Sequence, residues 1–96
     1  MVDRFRAITH VLKQEGAASL GSAGRKLRTA VDMLQRFDQS GGDRHSARRR
    51  ELLVNAAYLL SAYVIQREAI GLRNHKDITA EFDLTAEIWN RVGAVR

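Results

Sequence analysis

The chain has 96 residues, 45% of them hydrophobic, enough to build one core in a single domain spanning 1–96. It has no cysteine, which excludes a disulfide framework and any cysteine-based zinc site, and no proline with only six aromatics, which favours helices over strands and turns. The net charge is +5, yet residues 1–50 hold 11 Lys and Arg against 5 Asp and Glu, while 51–96 hold 5 against 6.

Residues 1–6 carry charges of both signs. His10, Lys13, Gln14 and Glu15 interrupt any apolar run, so no secretory signal is expected. The spacing of Phe5, Ile8, Val11 and Leu12 predicts a helix over 3–15, capped by Asp3 and stopped by Gly16. Residues 16–24 are nearly all small and read as a connection, part of it able to be frayed helix, with Ser19 or Ser22 able to cap the next helix. That second helix is predicted over 23–38, burying Leu27, Ala30, Val31, Leu34 and Phe37, with Leu20 able to extend that face. Arg28, Asp32 and Arg36 stand four apart, an ion-pair ladder worth about 0.2–0.5 kcal/mol per pair. Residues 39–42 form the clearest loop.

A third helix is predicted over 43–70, with Asp43 as its N-cap and Gly71 as its left-handed stop. Its segment from Leu52 to Ile65 is apolar on most sides, so it is expected to be the buried, central element. That segment falls short of the roughly 20 apolar residues that span a bilayer, so no membrane contact and a cytoplasmic location are expected. The other elements can barely surround it. A second copy is therefore expected to cover part of it, as a homodimer through the second and third predicted helices. In the tail, Asn74 is set to cap a short helix containing Ile78 and Phe82. Thr85 caps another with Ile88, Trp89 and Val92, closed by Gly93. The expected fold is all-α: a small helical bundle with a long central third helix and two short C-terminal helices.

Little in the chain suggests catalysis. His10, His45 and His75 are far apart, so no metal site and no cofactor are expected. No serine sits in a nucleophile elbow, and Glu51 and Glu68 lie close to Arg48 and Arg67, which can neutralise them. Gly21-Ser22-Ala23-Gly24 resembles the backbone clamp of the KH RNA-binding domain, but the strands that domain needs are missing. Gly16 to Gly21 has the spacing of a nucleotide-binding loop, with Ser22 where lysine belongs.

The stronger functional signal is charge. Arg25, Lys26 and Arg28 are expected to open the second helix; Arg44, His45, Arg48, Arg49 and Arg50 open the third. Cations near a helix N-terminus oppose the macrodipole, so a bound anion, an acidic partner or nucleic-acid phosphate would offset them. The cluster has no aromatic residue, so base stacking is not implied. Arg67 and Glu68 border the apolar face and are expected to form a structural polar site at the Gly71 turn.

The segment from Ile78 to Val92 resembles the helix-turn-helix of bacterial DNA-binding domains. Ile78, Phe82, Leu84, Trp89 and Val92 stand at its buried positions and Thr85 at the start of its recognition helix. Asp83 replaces the turn glycine, and the reading helix offers Ala86, Glu87, Asn90 and one Arg91. Residues 66–73 and the Trp89-Asn90-Arg91-Val92-Gly93 ending resemble small uncharacterised bacterial helical proteins of the domain-of-unknown-function kind. The expected function is a non-enzymatic cytoplasmic binding or scaffolding protein that meets an acidic protein partner. The alternative is a nucleic-acid-binding regulatory protein using the basic patch.

Overall fold

In the computed structural model, the backbone of residues 2–95 and the side chains of residues 16 and 18–93 are described. The expected stripe of Phe5, Ile8, Val11 and Leu12, and His10, lie outside the described side chains. The protein is all-α, with α1 (Val2–Gln39), α2 (Ala47–Ala69), α3 (Lys76–Glu81) and α4 (Ala86–Val95). α1 and α2 form an antiparallel hairpin. Leu27, Ala30, Val31 and Leu34 of α1 are buried, as expected, against Leu52, Ala56, Ala57, Leu60 and Val64 of α2. Ile78, Phe82, Leu84, Ile88 and Val92 bring the α3–α4 arm into the same core, and α2 packs on both α1 and α4.

Residues 16–24 are helix, not a connection, so two expected helices are one of 38 residues. Small residues are there for close approach. A Cβ at Gly24 would lie 3.2 Å from the Tyr63 ring and 3.6 Å from the Phe82 ring; one at Gly16 would lie 2.5 Å from Ile70. Without proline nothing breaks the helix, and packing outweighs the loss of about 1 kcal/mol per glycine. Gly21 differs, because a Cβ there meets only the end of the Arg25 side chain, at 3.4 Å. Gly21→Ala is therefore expected to stabilise the fold by about 0.5–1 kcal/mol in urea denaturation, and Gly24→Ala to give less or none of that gain.

α2 starts later than expected. Ser46, not Asp43, is the N-cap: its hydroxyl accepts from Arg49 N–H (3.1 Å), while Asp43 accepts from His45 N–H (2.9 Å) within the loop. Gly71 ends α2 as expected, at φ +92°, with its N–H on Glu68 O (3.0 Å) and Leu72 N–H on Arg67 O (2.9 Å). Gly41 closes α1 by the same left-handed pattern at φ +81°. Asp83 closes α3 likewise at φ +57°, with Leu84 N–H on Thr79 O (2.9 Å). Aspartate holds this conformation less easily than glycine, so Asp83→Gly is expected to raise stability by about 0.5–1 kcal/mol, read as a higher Tm. Thr85 caps α4 through Ile88 N–H (3.3 Å), whereas the N-cap of α3 is His75, not Asn74, whose side chain accepts from Lys76 N–H (3.1 Å) just ahead of the helix. α4 runs through Gly93 rather than ending there.

The molecule is elongated, 61 × 21 × 21 Å, with a radius of gyration of 16.4 Å. A compact chain of this length would have about 12–13 Å. α1, not the helix after it, is the longest element, although α2 is the central one. α2 is not buried on most sides within one chain: Val54, Tyr58 (64% exposed) and Ile65 (55%) face outward. Among the described residues, no ion pair joins Arg28, Asp32 and Arg36, and no helix is long and apolar enough to cross a membrane.

Candidate partner-binding face

One side of the α1–α2 hairpin is covered by the α3–α4 arm, and two buried arginines fasten it there. Arg49 is only 5% exposed. Its Nε and Nη2 donate to the two carboxylate oxygens of Asp38 on α1 (2.8 and 3.0 Å). Its Nη1 and Nη2 donate to those of Glu87 on α4 (both 2.9 Å). One planar guanidinium thus forks onto two carboxylates and ties three helices together, a geometry lysine cannot supply. These hydrogen bonds hold the carboxyls of Asp38 and Glu87 below their usual range and push the arginine further up.

The two depressed carboxyls make stability depend on pH. A carboxyl depressed in the folded state adds stability that is complete above its unfolded value, about pH 4, and lost as pH falls through the folded value. The urea midpoint is therefore expected to hold from neutral pH to about pH 5 and to drop below about pH 4. Arg49→Met should flatten that drop.

Arg67 closes the other end. It is 8% exposed, and its Nη2 donates to Asn74 O (2.8 Å), its Nε to His75 Nδ1 (3.2 Å). Arginine only donates, so Nδ1 accepts and Nε2 carries the proton that faces Glu68 (3.3 Å). Asp77 Oδ1 stands 3.7 Å from Arg67 Nη2. Arg67 and Glu68 thus brace the turn into α3. Among the described residues, no group of three or more His, Asp and Glu is placed to hold a metal ion.

The opposite side of the hairpin is open. Three shallow hollows succeed one another along the α1–α2 seam, of about 280, 330 and 360 Å³. The first lies between Ser19, Ser22 and Ala23 of α1 and Tyr58, Ala62 and Gln66 of α2. It shares Lys26 and Leu59 with the second, which adds Arg25, Thr29, Ala30 and Asn55. Met33 joins the second to the third, which adds Arg36, Phe37, Ser40, Arg48 and Leu52. The second and third hollows are mainly apolar, the first is half polar through Ser19, Ser22 and Gln66, and the charged lining among the described residues is Arg25, Lys26, Arg36 and Arg48. Among the described residues, no carboxylate lines any of the three.

The expected basic patch is therefore divided. Arg49 is withdrawn from it into the core. Arg28 turns to the arm, donating to Glu81 O (2.8 Å) with its guanidinium 4.8 Å from the centre of the Phe82 ring. Arg50 donates to His45 O (3.0 Å), and Arg44 is exposed near the Arg49 cluster. Arg25, Lys26 and Arg48 line the open seam, Arg48 with a loose exposed contact to Glu51 (3.5 Å). Arg25, Lys26 and Arg28 lie in the middle of α1, so the macrodipole argument does not apply to them.

Sequence reasoning missed Asp38, Glu87 and Arg36. A signal for Arg49 was present: it stands three before Leu52 and seven before Ala56, on the stripe that continues through Leu60 and Tyr63 to Arg67. Of the expected reading helix, Ala86, Asn90 and Arg91 are exposed, but Glu87 is held by Arg49. Trp89 is half-buried, and its indole N–H donates to Thr79 (3.0 Å).

No curated protein and no solved structure matches the chain. The model of a family of unknown function, DUF6665, matches residues 4–96, nearly the whole length that forms the hairpin and its arm, and the chain belongs to that family.

Proposed function

We propose that the chain is a non-enzymatic helical binding protein whose open α1–α2 seam receives an acidic protein partner. The observation that supports the reading is a seam with two mainly apolar hollows whose charged lining, among the described residues, is Arg25, Lys26, Arg36 and Arg48 with no carboxylate. Single-sign charge around a largely apolar floor steers a partner of opposite sign and rejects like charge. The test is affinity capture from the native cell with the wild-type chain and with a variant carrying Arg25→Glu, Lys26→Glu, Arg36→Glu and Arg48→Glu. Acidic proteins retained by the first and lost by the second support the reading. A retained set that ignores the reversal contradicts it.

Two further elements belong to this reading. Val54 and Ile65, with Tyr58 at the border it shares with the seam, form an outward apolar stripe on α2 beside the seam-lining Asn55, Leu59 and Ala62. A second copy laid along that stripe would bury it, giving a homodimer. A compact monomer in sedimentation at micromolar concentration would remove that element. Nucleic acid is the alternative ligand for the exposed cations. Retention abolished by nuclease, or duplex binding that falls steeply with salt, would assign the seam to it instead.

A further inference from the structure

We infer that the seam is built for an amphipathic acidic helix, which would lie along it as a further helix opposite the α3–α4 arm. The inference rests on the acidic-partner reading and adds the form of the ligand. Along α1 the hollows are bounded by residues 19–26, 25–33 and 33–40, so their centres recur about every seven residues. Seven residues of helix rise about 10.5 Å. A partner helix laid alongside repeats its own side chains at that interval, so anchors at i, i+7 and i+14 would enter the three hollows in turn.

An extended strand does not fit the same spacing. At about 3.3 Å per residue it covers 10.5 Å in about three residues, and side chains an odd number apart point to opposite faces. The seam from Ser19 to Ser40 is about 30 Å long, the length of a helix of about 20 residues. Glutamates flanking the anchors would meet Arg25 and Lys26 at the middle hollow and Arg36 and Arg48 at the last. A second copy of this chain is the poorer occupant, because joining two seams would set the same four cations against each other.

The probe is a designed helical peptide with leucines seven residues apart on one face and glutamates along both flanks. Its control has the same composition with the leucines scattered around the helix. In titration calorimetry the patterned peptide is expected to bind the wild-type chain about tenfold or more tighter than the control. Lys26→Glu with Arg36→Glu is expected to weaken it about tenfold, and Thr29→Trp, which fills the middle hollow without changing charge, to do likewise. If the control binds equally well, the helical form is overturned while the acidic-partner reading stands. If neither peptide binds, both fail. Binding that Thr29→Trp leaves intact would place the peptide elsewhere and overturn the inference.

Discussion

Arg49→Met is expected to lower the free energy of unfolding by about 3 kcal/mol, the lower end of the range for breaking a buried ion pair. The lower end applies because the side chains of Asp38 and Glu87 are 32% and 40% exposed and can turn to water once the arginine is gone. Four hydrogen bonds between three helices are lost together, and two like charges are left side by side. Arg49→Lys should recover less than half of the loss, since one ammonium cannot fork onto both carboxylates. Asp38→Asn and Glu87→Gln should each be costly in the wild type and nearly neutral beside Arg49→Met, because the three side chains act as one unit. Urea denaturation of the set measures all of this. A loss below about 1 kcal/mol for Arg49→Met would show a surface ion pair instead of a fastening.

The second large effect is expected at Phe82. Its ring is buried, lies edge-on to Tyr63 with centroids 5.1 Å apart, carries the Arg28 guanidinium on its face and touches the Gly24 position of α1. Phe82→Ala should cost about 3–5 kcal/mol, as for other large-to-small changes in a core, with a further fraction from the lost aromatic and cation contacts. Hydrogen exchange should show α4 opening before the α1–α2 hairpin in this variant. Gly24→Ala should be better tolerated beside Phe82→Ala than alone, because the Tyr63 ring, which a methyl group at 24 meets at 3.2 Å, can then give way into the space left by Phe82. Uniform loss of protection across all four helices would contradict this division of roles.

These two side chains show where the sequence was legible. Period alone places Leu27, Ala30, Val31 and Leu34 on one face of α1 and Leu52, Ala56 and Leu60 on one face of α2. Local chemistry places the Gly71 stop and the Thr85 cap. The run of small residues at 16–24 carries no such local signal, because the side chains that crowd Gly16 and Gly24, Ile70 and Tyr63, are distant in the chain. Residues 48–50 are three arginines of equal composition. A rotation of about 100° per residue sends the middle one inward and leaves its neighbours outside. The basic patch was legible as charge but not as a surface. Its members are shared out by helical phase among the core, the arm and the seam, and Arg36 enters the seam from a position that read as part of an ion-pair ladder.

The open seam is the central claim, and amide chemical-shift mapping tests it most directly. The labelled chain would be titrated with the patterned acidic peptide. The largest shifts are expected at Arg25, Lys26, Thr29, Met33, Asn55 and Leu59, with Arg28, Glu81 and Phe82 on the covered side little changed. Shifts centred on the α3–α4 arm, or on no contiguous face, would contradict the account.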